Sequence, residues 1–147
     1  MYQNSLLKKF KKSDLHLENF PYILIENALD EEFYNELSNN FPKFESFTDD
    51  QNIKENTRYH INNENYIGTS PAWKEFLEYH SSIEFFKSII SIFNNEIQNS
   101  KNENLLNLLS KKNLKTGYTK KDLKEKKIDI YHDVSININT KVSENKP

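Results

Sequence analysis

Apolar residues recur along this chain in two rhythms, one suited to short strands and one to helices. Tyr22-Ile-Leu-Ile-Glu26, preceded by Phe20-Pro21, is an apolar run of strand length. Asn27-Ala-Leu29 leads to Asp30, a good helix N-cap. Glu31 and Glu32 follow in the first turn, where the helix dipole favours acids. Phe33, Leu37 and Phe41 then repeat on one helical face, and Pro42 ends the helix. A strand followed by a helix is therefore the first ordered unit expected. It starts at Phe20, so residues 1–19 read as an N-terminal extension and residues 20–147 as the domain.

Residues 43–65 are polar and irregular, with Phe44, Phe47 and Ile53 as scattered anchors and Arg58-Tyr-His-Ile61 as a short strand candidate. Ser70-Pro71 is a helix start, with Ser as N-cap and Pro at the first helical position. Trp73, Phe76 and Leu77 form its apolar stripe. Ser81-Ser82 supplies a second cap, and Ile83, Phe86, Ile89, Ile90, Phe93 and Ile97 predict an amphipathic helix of about four turns. Leu105, Leu106, Leu108 and Leu109 suggest a short helix. Residues 111–127 read as an exposed, lysine-rich connection containing Gly117.

Ile128-Asp-Ile-Tyr131 and Val134 to Ile138 are both strand-like and are separated by His132-Asp133. They fit one long kinked strand or two parts of a hairpin; one long strand is the preferred reading. In Val134-Ser-Ile-Asn-Ile-Asn-Thr-Lys-Val142, Val134, Ile136 and Ile138 share a face, with Ser135, Asn137 and Asn139 on the other. Such a strand needs edge partners and a layer over its apolar face. Only Ser143 to Pro147 follow. The expectation is a sheet left unfinished, with pairing to another chain through residues 134–140. The fold class expected is α+β, helices packed on an incomplete β-sheet.

Composition narrows the function. An apolar fraction of 35% is low, yet ten Phe, eight Tyr and one Trp argue against a disordered chain. With 21 Asn and 19 Lys against a single Arg, the usage has the look of AT-rich coding, so abundant Asn and Lys carry little functional meaning. Net charge is -2, so no global basic field points to nucleic acid. The lysine-rich stretch 111–127 contains one aromatic residue, Tyr118, and reads as a solvated loop rather than a stacking platform. No Cys is present, which excludes disulfides, thiolate zinc sites and a cysteine nucleophile. No run has the length of a membrane span, and a cytoplasmic protein is the default expectation.

Candidate chemistry is sparse. His16, His60, His80 and His132 show no metal-ligand spacing with one another. His132-Asp133 offers two of the three residue types of a non-haem iron triad, but adjacent strand residues point to opposite faces. A polar kink is the simpler reading. His80 ends a helix, where a cation is favoured, so its role reads as structural. Arg58 is the one guanidinium suited to a bidentate anion clamp, although bracing or exposure explains it more simply. Two glycines cannot build a phosphate loop, and no serine elbow or triad stands out.

Three stretches together resemble the N-terminal half of 2-oxoglutarate/Fe(II)-dependent oxygenases, the bacterial and phage proteins related to prolyl hydroxylases and phytanoyl dioxygenases. They are Phe20 to Leu37 closing with Asn40-Phe-Pro42; Ser70-Pro-Ala-Trp to Ser82 with the Phe-rich helix after it; and Ile136-Asn-Ile-Asn-Thr-Lys-Val142, similar to a strand ending in Asn-Thr-Pro-Val before the metal site. The resemblance implies the N-terminal portion of a double-stranded β-helix, or jelly roll. It also implies Fe(II) and 2-oxoglutarate as cofactors of the complete enzyme, and a small-molecule or peptidyl substrate. Asn139 and Thr140 match the motif leading into the cosubstrate pocket; Lys141 replaces the usual Pro. The His-x-Asp ligands, the distal His and the basic 2-oxoglutarate anchor have no counterparts here. No iron binding or hydroxylation is therefore expected of this chain alone. The alternative is a non-catalytic interaction domain.

Overall fold

A computed structural model describes residues 2–47, 57–62, 69–117, 120–125, 127–131 and 134–140. It is a mixture of helices and strands with small open sheets. The helices are α1 (Glu31–Asn39), α2 (Pro71–His80), α3 (Ile83–Ile92), α4 (Asn94–Asn99), α5 (Glu103–Leu109) and α6 (Lys120–Lys124). The strands are β1 (Leu15–His16), β2 (Tyr22–Ile23), β3 (Arg58–Asn62), β4 (Thr116–Gly117), β5 (Ile130–Tyr131) and β6 (Ser135–Asn139). Among the described residues they form three two-stranded sheets, β1–β2, β3–β6 and β4–β5.

The helix starts follow the local chemistry. The Ser70 hydroxyl accepts the Trp73 amide at 3.3 Å, with Pro71 beginning α2. The Ser82 hydroxyl accepts the Phe85 amide at 3.2 Å and begins α3. The two helices therefore join almost without a linker, and Ser81 closes α2 by donating its hydroxyl to the Leu77 carbonyl at 2.8 Å. Asp30 behaves differently. Its backbone holds the N-cap position of α1, but its carboxylate makes no capping bond and is drawn to Lys8 and Lys9 instead.

The core lies between α1 and α2. Phe33, Leu37 and Ala72 are buried together, with Leu29, Trp73 and Phe76 packed against them. The Trp73 indole N–H donates to the Leu37 carbonyl at 2.9 Å, so a polar contact fixes the same seam. Phe41 stays at the rim, its ring edge-on to Trp73 with centroids 5.8 Å apart.

Four expectations are corrected. The apolar run 22–26 supplies only the two residues of β2, because its partner β1 is just as short; Leu15 lies opposite Ile23 and His16 opposite Tyr22. The long amphipathic helix is broken at Phe93. The poor helix formers Asn94 and Asn95 follow there, and α4 begins anew. The stretch 111–127 is not a plain connection, since it contains β4 and α6. Finally, 128–138 is not one strand. β5 pairs parallel with β4, and β6 pairs antiparallel with β3 in a separate sheet. A parallel pair requires a crossover of about a dozen residues, and the segment carrying α6 provides it.

The chain is also ordered before Phe20. Leu7 and Ser5 are buried, and the Tyr2 ring lies 4.4 Å from that of Tyr79. Nothing in the helical or strand rhythm marks this segment, which has no regular element before a single 3-10 turn at Lys12–Asp14. No helix among the described residues is long and apolar enough to cross a membrane.

Two outcomes test this architecture. Ser70→Ala and Ser82→Ala should each cost about 1 kcal/mol in urea unfolding, the usual effect of losing a cap. Gly117 sits where an added Cβ would lie 2.9 Å from Cγ2 of Ile128. Gly117→Ala should therefore destabilise by about 1–3 kcal/mol through overpacking. Adding Ile128→Ala should recover part of the loss, and a double-mutant cycle reads that coupling directly.

Candidate functional site

Arg58, Asn139 and Thr140 meet at one end of the β3–β6 pair, because the antiparallel register sets Arg58 opposite Asn139. The register continues through Tyr59 with Ile138, His60 with Asn137 and Ile61 with Ile136. Period-two alternation then sorts the side chains. Ile61 and Ile136 are buried, whereas Arg58, His60, Asn137 and Asn139 are exposed on the other face. The two segments are about eighty residues apart in sequence, so this sheet ties the middle of the chain to its end.

Asn139 and Thr140 therefore part company. The Asn139 side-chain oxygen accepts from Arg58 Nε at 3.4 Å, a long contact on the open face. The Thr140 hydroxyl turns to the backbone of Thr57, accepting its amide at 3.0 Å and lying 3.3 Å from its carbonyl. The Thr140 amide donates to the same carbonyl at 3.1 Å. Thr140 closes the ladder as a strand would, with its hydroxyl replacing the next rung. Asn139 and Arg58 form a donor-and-amide pair facing solvent.

The remaining candidates are dispersed. His16 stacks on Tyr22 with ring centroids 4.6 Å apart, and His60 lies on the exposed face of β3. His132 and Asp133 lie outside the described residues. Among the described residues, no group of three or more His, Asp or Glu side chains is placed to hold a metal ion.

His80 is neither at the sheet nor exposed. The helix-end argument expects a cation there, but the ring is 5% exposed and burial pushes its pKa below the ordinary histidine value. Desolvation outweighs the pull of the Phe76 carbonyl, which acts in the opposite direction. The ring is a neutral bridge, with Nδ1 2.7 Å from the Phe76 carbonyl oxygen and Nε2 accepting the Leu6 amide at 3.1 Å. Only its position before Ser81-Ser82, at the end of an apolar stripe, hinted at burial.

A second polar cluster, joined across about twenty residues, has no local sequence signature. Asp30 pairs with Lys8 at 2.7 Å and Lys9 at 3.0 Å, and these two lysines hold its carboxyl below the usual carboxylate range. Lys9 also donates to the carbonyls of Leu29 and Asn27. A cleft of about 810 Å³ opens beside it, lined by both lysines, Lys11, Asp14, His16 and Glu26 among others. Its charges are mixed in sign and the Lys8 and Lys9 ammonium groups are already engaged, so the cleft shows no preference for one ligand charge.

No protein-family model matches the chain, and no curated protein or solved structure matches it either.

The Thr140 contacts predict a stability effect confined to the sheet. Thr140→Val should cost about 1–2 kcal/mol, because it removes the hydroxyl and leaves a half-buried amide short of an acceptor. Thr140→Ser should cost markedly less. Chemical denaturation of both variants separates the hydroxyl from the methyl.

Proposed function

We propose that this chain is the N-terminal scaffold of a 2-oxoglutarate/Fe(II)-dependent dioxygenase, contributing sheet and helical support while the iron ligands lie elsewhere. The observation that carries this reading is the antiparallel pairing of β6 with β3, which brings the Asn-Thr motif of residues 139–140 to the end of a sheet. The strand-and-helix unit at Tyr22–Asn39 and the Pro-started helix at Pro71 agree with the same likeness. Jelly rolls use about eight strands in two sheets, so β3 and β6 would be a small part of one.

The described residues do not fit an iron site. A facial triad takes two imidazoles and a carboxylate on convergent positions. The described residues gather no such set, and adjacent His132 and Asp133 would diverge on a strand. No catalytic step is assigned to this chain. In a complete enzyme of this kind, decarboxylation of 2-oxoglutarate supports hydroxylation of a small molecule or a peptidyl side chain. This chain's residues would brace the barrel rather than touch the reacting atoms.

A second reading, a non-catalytic interaction domain, is favoured by one feature. Phe20 is 76% exposed, and Leu24 and Tyr22 are also largely open, which gathers apolar surface around β2.

Anaerobic titration with Fe(II) and 2-oxoglutarate separates the readings. The 147-residue chain should give no charge-transfer absorbance. A polypeptide that joins it in frame to a His-x-Asp strand should give the band and release succinate. Sequencing the transcript beyond the Pro147 codon should find that strand, and its absence would overturn the oxygenase reading. Stoichiometric iron binding by the 147 residues alone would instead show that His132 and Asp133 converge.

A further inference from the structure

We propose that residues 2–9 are an acid-released strap, latched on α2 by neutral His80 and let go when that ring takes up a proton. The latch is defined by what its neighbours can do. A carbonyl oxygen only accepts, so His80 Nδ1, 2.7 Å from the Phe76 carbonyl, must carry the hydrogen. A backbone amide only donates, so Nε2, 3.1 Å from the Leu6 nitrogen, must present its lone pair. One tautomer of the neutral ring satisfies both bonds. The imidazolium carries hydrogens on both nitrogens and satisfies one. Its Nε2–H would face the Leu6 N–H, leaving two donors opposed beside the buried His80 ring and Ser5, with the Leu6 side chain at the exposed edge of the site.

The surroundings give the charged ring little relief. Phe76, Phe85 and Tyr79 approach it with ring centroids at 4.1, 4.6 and 5.2 Å. Their π-faces attract a cation, but they cannot accept the second hydrogen as a carboxylate would. The titratable groups nearby are Tyr79 and Glu75 on α2, Tyr2 from the strap and Glu36 on α1, while α3 brings the Phe85 ring. The Tyr2 phenol is itself pushed up to about 12, by burial first and then by the nearby Glu75 and Glu36 carboxylates, so it stays neutral throughout. Glu75 and Glu36 act on Tyr2, whereas the influences on His80 are burial and the Phe76 carbonyl.

The sign of the pH effect follows. Burial lowers the folded-state pKa of His80, so the released ring binds a proton more readily than the latched one. The contribution of the latch is complete above about pH 6.5, the ordinary histidine value. It is lost as pH falls through the lower value of the latched ring.

The far end of the strap is anchored differently. Lys8 and Lys9 grip Asp30, and these lysines hold its carboxyl below the usual range, so this ion pair takes no part in the His80 proton. Protonation of His80 should therefore free residues near Leu6 while Lys8 and Lys9 keep the strap tethered to the start of α1. Two anchors of different chemistry, an imidazole bond and an ion pair, make a hinged flap rather than a dissociating tail.

Amide hydrogen exchange read by NMR tests this on the whole chain, with protection factors corrected for intrinsic exchange. Protection of the Leu6 amide should fall at least tenfold as His80 titrates, whereas the Phe86 amide, bonded to the Ser82 carbonyl within α3, should hold. The ¹⁵N shifts of His80 should show hydrogen on Nδ1 alone at neutral pH, and their midpoint should coincide with the opening. His80→Gln, which keeps an acceptor and cannot titrate, should abolish the dependence, and Asp30→Asn should leave it in place. If His80→Gln does not fold, the wild-type shifts still decide. A His80 midpoint at or above 6.5, or a ring that titrates while Leu6 stays protected, overturns the strap.

Discussion

The rest of the structure depends on how α2 packs against α1. Only seven apolar residues among those described are buried, namely Leu7, Phe33, Leu37, Ile61, Ala72, Leu77 and Ile136. Fully burying one such side chain contributes about 1.5–3 kcal/mol, so a core this small leaves each contact with a large share of the total. Three of the seven form the α1–α2 seam, and the Trp73 indole bonded to the Leu37 carbonyl fixes its register. An apolar seam alone tolerates sliding. A directional bond from a bulky ring does not, because displacement would leave both the N–H and the carbonyl unpaired.

What the sequence discloses of this fold is the local part. Ser70-Pro71 and Ser82 announce helix starts because a cap is a bond between residues three apart, and such bonds need nothing distant. Phe33 and Leu37 declare the buried face of α1 for the same reason. The sequence is silent where the partner is remote. His80 meets Leu6 across 74 residues, and Lys8 meets Asp30 across 22. Two-residue strands such as β1 and β4 leave no periodic trace, since alternation needs several positions before it differs from chance. The corrected long strand at 128–138 failed on this ground: its alternation is real, but pairing partners, not alternation, decide where one strand stops and another starts.

The candidate residues at the sheet end show the same division. Alternation correctly sorts Ile136 inward and Asn137 and Asn139 outward, and it brings Arg58 and His60 onto the same open face. It does not reveal that the Thr140 hydroxyl is committed to the Thr57 backbone, which depends on β3 arriving from about eighty residues upstream. At this end of the β3–β6 pair, Asn139 faces solvent, whereas Thr140 is a structural stop. A motif that names two neighbouring residues on a strand thus divides into a surface role and a ladder role once the register is known.

Phe76 joins the core to the start of the chain. Its ring packs between Phe33 and Trp73 on the α1 side, and it lies 4.1 Å from the ring of His80 on the other. Its carbonyl also holds His80 Nδ1, which fixes the tautomer that accepts Leu6. A shift of α2 at this residue would disturb the aromatic seam and the imidazole bridge together. Packed side chains with discrete arrangements transmit such displacements, whereas a solvated loop would absorb them. The position of the N-terminal segment and the integrity of the small core are therefore coupled through one residue. That coupling explains how a segment with no helical or strand pattern of its own comes to be as well buried at Ser5 and Leu7 as the helices it rests on.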